Sequence, residues 1–160
     1  MKPTRKKSGV GRGNTNAGGK SLRIDPEVHT AYAAAVARGV IAKRKMAVAE
    51  GGSISCEAAA KLLGTSAASV VRRWRSYRLV GWTEGKVLRI PVWQFREGKL
   101  LKGVKEILQI FRSKYHWRIM LYFLGNRQSL ANERPLDLLR RGESVKAIKH
   151  AADYSQDNQW

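Results

Sequence analysis

Apolar positions recur at helical spacing through most of the chain. From Asp25 to about Glu50, Val28, Tyr32, Ala35, Val36, Val40, Ile41 and Val48 stand among alanines and cations. Asp25 suits a cap, Pro26 the first helical position, and Glu27 the positive end of the helix dipole. Gly51-Gly52 marks the stop, and Gly39 is a point where the segment can divide. The expectation is a helix or helix pair over residues 24–52. A new start follows at Ser53 or Ser55, with Ala58, Ala59, Leu62 and Leu63 as its apolar stripe. Gly64 permits a sharp turn, and Thr65 or Ser66 caps the next helix. There Val70, Trp74 and Tyr77 fall at i, i+4 and i+7 and face the core, with Val71 beside them. Ser69, Arg72, Arg73, Arg75 and Ser76 are left for the other faces.

The period then changes. Trp82 to Trp93 alternates and is broken by Glu84-Gly85-Lys86, the pattern of a short hairpin. Pro91 makes its last strand an edge or marks its end. Trp82 and Trp93 read as core rather than as base-stacking platforms, since aromatics alternating beside apolar neighbours face inward. Helical spacing returns near Gly103. Val104, Ile107, Leu108 and Phe111 make one helix, and Trp117, Met120, Leu121 and Leu124 a second. Gly125-Asn126 is a turn, Leu130 lies in a loop, and Pro135 opens a helix carrying Leu136, Leu138 and Leu139. Gly142 ends it, and Val145 to Ala152 form a last short helix before a frayed end at residues 153–160. The expected fold is mainly α with a small β-hairpin wing. It comprises a winged helix-turn-helix over residues 53–98 and a small helical domain over 99–152.

Charge narrows the field. Among 160 residues, 31 Lys and Arg face 12 acids, a formal net charge of +19. Such an excess attracts polyanions and speeds association with them. Residues 1–23 hold Lys2, Arg5, Lys6, Lys7, Arg12, Lys20 and Arg23, no acid, and many glycines. They read as a disordered basic arm that follows phosphates or enters a minor groove, with Arg5, Lys6, Lys7 and Arg12 as contacts. Lys43, Arg44 and Lys45 are either phosphate contacts or a solvated face. No apolar run approaches the roughly 20 residues that span a bilayer, and the N-terminus lacks a signal peptide's apolar block. The single cysteine, Cys56, excludes an internal disulfide. A cytoplasmic, nucleoid-associated protein with no membrane partner is expected.

Two family resemblances follow from these residues. EAAAKLLGTSAASVVRRW, followed by KVLRIPVWQF, resembles the excisionase or MerR-type winged helix-turn-helix over residues 53–95. The resemblance implies a second helix in the major groove and a wing against the backbone. WRIMLYFLGNRQSLANERPLDLLRRGESVKAIKHA resembles the C-terminal domain of the MbcA/ParS/Xre antitoxins, over residues 100 to 152. Trp117, Leu130, Pro135, Leu136, Leu138, Leu139, Gly142 and Val145 sit at matching places. Gly125-Asn126 replaces that family's Pro-Asn, and Asn132-Glu133 its Gly-rich turn. This second resemblance implies docking of a RES-type toxin, with Leu136, Asp137, Arg140 and Arg141 as partner contacts.

The candidate DNA-binding residues are Ser66, Ala67, Ser69, Arg72, Arg73, Arg75 and Ser76, with Lys86 and Arg89 on the wing against the backbone. Arginine pairs with guanine O6 and N7 in the major groove. Arg72, Arg73 and Arg75 span one turn and cannot all enter one groove, so some of them neutralise phosphate. Enzyme chemistry finds little here. His29, His116 and His150 are far apart, His116 reads as a helix-surface residue, and Cys56 has no ligand partner for zinc. GVGRGNTNAGGK misses the phosphate-loop spacing. No catalytic residue, metal or cofactor is expected. The leading expectation is an antitoxin-like transcriptional regulator that binds double-stranded DNA as a homodimer. One alternative is an antitoxin that neutralises a toxin enzyme by direct binding through its C-terminal domain. Another is a non-specific architectural nucleic-acid binder of phage origin.

Overall fold

The computed structural model describes residues 25–112 and 115–157. The basic arm, with Arg5, Lys6, Lys7 and Arg12, lies outside the described residues. In chain order the elements are α1 (Pro26–Val48), a 3-10 turn (Ala49–Gly51), β1 (Ser53–Ser55), α2 (Cys56–Leu63), α3 (Ala67–Arg75), β2 (Trp82–Glu84) and β3 (Val87–Pro91). A second 3-10 turn (Val92–Gln94), β4 (Phe95–Arg96), β5 (Lys99–Leu100), α4 (Val104–Ile110) and α5 (His116–Leu124) come next. A third 3-10 turn (Gln128–Leu130), α6 (Pro135–Arg140) and α7 (Ser144–Asp157) complete the chain. The protein is mainly helical with a small antiparallel sheet, as its periodicities predict.

The chain divides into two units, residues 1–35 and 36–160. α1 begins in the first, where the Asp25 carboxylate accepts the Glu27 amide at 2.9 Å and Val28 and Tyr32 are exposed. Gly39 does not split α1, and none of its residues is buried. In the second unit the helix ends through left-handed backbone, with Glu50 at φ 54° and Gly51 and Gly52 also positive.

The expected hairpin is part of a three-stranded antiparallel sheet in the order β1-β3-β2. β1 pairs with β3 in the register Ser53↔Pro91, Ile54↔Ile90, Ser55↔Arg89. β3 is therefore the central strand, and Pro91 marks its end rather than an edge. The missing proline N–H costs nothing there, because the ladder passes to Val92, whose amide donates to Gly52 O at 3.0 Å. Ser55 closes β1 and caps α2, its Oγ accepting the Ala58 amide at 3.2 Å.

Two apolar clusters hold this second unit. Ala59, Ala60, Val70, Leu79 and Ile90 join α2, α3 and the sheet. The larger cluster gathers Ile107, Leu108, Met120, Tyr122, Phe123, Leu136 and Leu138 from the C-terminal helices, together with Val80, Trp82 and Trp93. Trp82 and Trp93 are buried as expected, at 5.1 Å from Trp117 and 5.2 Å from Phe123 between ring centroids. The segments 53–98 and 99–152 thus share one core. Gly103, at φ 98°, lets α4 begin against α6 and α7, where a Cβ would lie 2.8 Å from Leu139 Cδ2. Gln94 is fully buried. Its amide donates to Val80 O and Pro91 O at 2.9 and 3.0 Å, and its oxygen accepts the Val80 amide at 2.8 Å.

α7 runs to Asp157, so residues 153–157 are helical and not frayed. The reason is Tyr154, whose ring packs against Tyr122 and His150 and lies under the Arg127 guanidinium at 4.9 Å.

An ion-pair network closes the end of α1. Glu50 receives hydrogen bonds from Arg134 and Arg140, and Arg134 also grips Asp137. The Arg134 and Arg140 contacts hold the Glu50 carboxyl below its ordinary value of 4.5, and Arg134 lowers Asp137 likewise. A carboxyl with a depressed folded value stabilises the fold above its unfolded value. That contribution is lost as pH falls through the folded one. The urea midpoint is therefore expected to fall once pH drops below 4.5, and to fall less steeply in Glu50→Gln. Parallel profiles for the two proteins would show that the network contributes nothing to acid sensitivity.

Candidate nucleic-acid interface

The second helix of the α2–α3 pair is placed by local chemistry. Gly64, at φ 60°, ends α2, and the Ser66 Oγ accepts the Ser69 amide at 3.2 Å to cap α3. Val70, wholly buried, fixes the inward face of α3, and its burial contributes about 1.5–3 kcal/mol. The Trp74 indole donates to Gly81 O at 3.1 Å, tying α3 to the start of β2. These contacts leave the cationic face outward. Removing the cap in Ser66→Ala is expected to cost about 1 kcal/mol in urea unfolding. An unchanged midpoint would show that the cap is dispensable.

α3 does not extend to Tyr77. It ends at Arg75, and Tyr77 adopts φ 54° beyond it, half-buried. That turn folds the chain back, and the Arg78 amide donates to Arg73 O at 2.8 Å. Two adjoining shallow hollows result. Ala68, Val71, Arg72, Arg75 and Ser76 line one of about 600 Å³. Arg72, Arg73, Ser76 and Arg78 line one of about 380 Å³. No acid occurs between Glu57 and Glu84, and none of these four arginines makes a salt bridge with a described residue.

The sequence-predicted residues divide accordingly. Ser69, Arg72, Arg73, Arg75 and Ser76 come together on α3 and its end. Ser69 accepts from Arg72 at 2.9 Å, and Ser76 donates to Arg73 O at 3.2 Å. Ser66 is engaged as a cap. Ala67 is half-buried, its carbonyl accepting the Cys56 thiol at 3.3 Å. Lys86 is exposed at the hairpin tip, whereas Arg89 donates to Glu84 at 3.2 Å and is partly neutralised. Lys43 lies over the Tyr115 and Trp117 rings, at 5.6 and 5.9 Å from their centroids.

The structure bears on three further expectations. Leu136 is fully buried in the larger core and presents nothing to a partner. Asp137, Arg140 and Arg141, proposed with it, are ion-paired within the chain to Arg134, Glu50, and Glu133 with Glu143 respectively. His116 is half-buried and not a plain helix-surface residue. It stacks on Trp74 and Tyr77 at 5.4 and 6.2 Å, and burial pushes its imidazole below 6.5, so it is neutral near pH 7.

Sequence reasoning missed Arg78 and Gln109. The Gln109 amide donates to Ser76 O at 2.9 Å and Tyr77 O at 2.7 Å. A helix extrapolated through Tyr77 conceals the turn that brings both residues in.

No family model and no curated protein matches the chain. In fold it is similar to Rv2175c. The NMR structure of that protein superposes with a TM-score of 0.58 at 21% identity, covering 67% of this chain and 83% of the other. At that identity the likeness bears on the fold alone. Among the described residues no helix is long and apolar enough to cross a membrane.

Proposed function

We propose that the protein is a sequence-specific double-stranded DNA-binding regulator. In this reading α2, α3 and the β2–β3 hairpin act as a winged helix-turn-helix. α3 enters the major groove and Lys86 meets the flanking backbone. The observation that carries it is the acid-free arginine face of α3 and its following turn. Four guanidiniums without carboxylate partners make a concentrated positive face that attracts a polyanion. Arg72, shared by both hollows, is the first choice for a bidentate guanine contact, worth about 1–3 kcal/mol of discrimination. Arg75 lies beside it, and Arg73 and Arg78 lie on the backbone side.

The test is selection from a random duplex library by the intact protein at roughly 150 mM salt, where screening acts beyond about 8 Å. A short enriched motif that vanishes in the Arg72→Ala, Arg73→Ala variant is the expected result. Binding with no motif overturns sequence recognition and leaves a charge-driven binder.

A further inference from the structure

The hollow past the end of α3 differs in kind from the face beside it. Arg72, Arg73 and Arg78 line it, and the Arg78 amide on Arg73 O ties the backbones of two of them together. Their charges repel one another with no carboxylate to offset them. Guanidinium groups in this arrangement match a phosphate, which accepts two parallel N–H bonds from each fork. Arg78 comes from the turn and not from α3, so it lies outside the helix face that addresses base edges.

The turn is also held from outside. Tyr77 is in the left-handed region, which a bulky side chain adopts only when its surroundings enforce it. Gln109 on α4 adds to the hold of the Tyr77–His116 stack and the amide bonds back to α3, donating both hydrogens of one amide to the consecutive carbonyls of Ser76 and Tyr77. It is exposed and adds nothing to either core, so its position is explained by what it holds.

We infer that the Ser76–Arg78 turn is a phosphodiester clamp, in which Arg78 and Arg73 grip a DNA backbone phosphate and Gln109 is the positioning residue. The clamp presupposes the DNA binding proposed above and adds to it a ligand class and a link. Its geometry is set from α4, so the C-terminal helices bear on DNA affinity without touching DNA.

The experiment measures binding of the selected duplex and of a scrambled duplex by the full chain across a salt series. Removing both clamp arginines, Arg73→Ala with Arg78→Ala, is expected to reduce the slope of log K against log salt by about 0.9, one phosphate's share, and Arg78→Ala alone by a part of it. At roughly 0.15 M salt the full share corresponds to roughly fivefold weaker binding, equal on both duplexes, with the enriched motif unchanged. Gln109→Leu, which donates to neither carbonyl and adds no charge, is expected to weaken binding in the parent protein and to have no further effect in Arg78→Ala. A destabilisation unrelated to the clamp costs the same in both backgrounds and overturns the positioning role. If the parent reads a motif and Arg78→Ala keeps the full slope, the clamp alone falls. If Arg78→Ala changes the motif, Arg78 reads bases and the clamp falls likewise. If the parent binds no duplex, DNA binding falls and the clamp with it.

Discussion

Gln94→Leu is expected to lower unfolding free energy by about 3–5 kcal/mol, a large share of the 5–15 kcal/mol typical of a domain. Leucine fills much the same volume but leaves the Val80 N–H, the Val80 carbonyl and the Pro91 carbonyl in a dry interior without partners. Each such group costs about 1–3 kcal/mol. The side-chain amide here acts as a short length of strand, offering Val80 one donor and one acceptor where no backbone reaches it. Gln94→Glu is expected to be at least as harmful, since a carboxylate cannot donate to the two carbonyls. Urea unfolding followed by circular dichroism reads the change. A loss below about 1 kcal/mol would mean that water enters and replaces the amide.

Gly103→Ala is expected to cost about 2–5 kcal/mol, from two separable sources. A left-handed φ costs a residue with a Cβ about 1–2 kcal/mol. Overpacking a filled site costs about 1–3 kcal/mol more, and the new methyl would sit 2.8 Å from Leu139 Cδ2 and 3.1 Å from Ser144 Cβ. Gly142→Ala separates the two, because φ is 86° there and a Cβ meets nothing within 4 Å. It should show the conformational cost alone. Equal losses at the two positions would show that α4, α6 and α7 yield enough to admit the methyl.

What was legible in the sequence was local. Ser55, Ser66 and Pro135 announce helix starts because a cap or first turn is decided within a few residues. The 2-residue alternation from Trp82 located β2 and β3, and inward tryptophans followed from it. Features decided at a distance were not legible. β1 is three residues, Ser53-Ile54-Ser55, and is a strand only because β3 lies beside it. Tyr77 continues a helical period, yet the backbone breaks before it, and so Arg78 and Gln109 escaped the candidate site. Gln94, just past the alternating run, is a polar residue of a type usually left in solvent, whereas its three hydrogen bonds allow burial. The antitoxin resemblance assigns Leu136 to a docking face, but α6 is six residues long and buries Pro135, Leu136, Leu138 and Leu139.

Trp82 and Trp93 stand on the arginine-bearing half of the chain but pack into the core of the other half. Domains of modular regulators can be exchanged between proteins when the seam between them is polar and thin. Here a cut after residue 98 would bare two indoles and Val80 on one fragment and strip Trp117 and Phe123 of their ring partners on the other. Neither fragment is then a ready-made part. Each indole constrains which partner helices the arginine-bearing half can accept, and swapping the C-terminal helices for those of another protein requires rebuilding that seam as well.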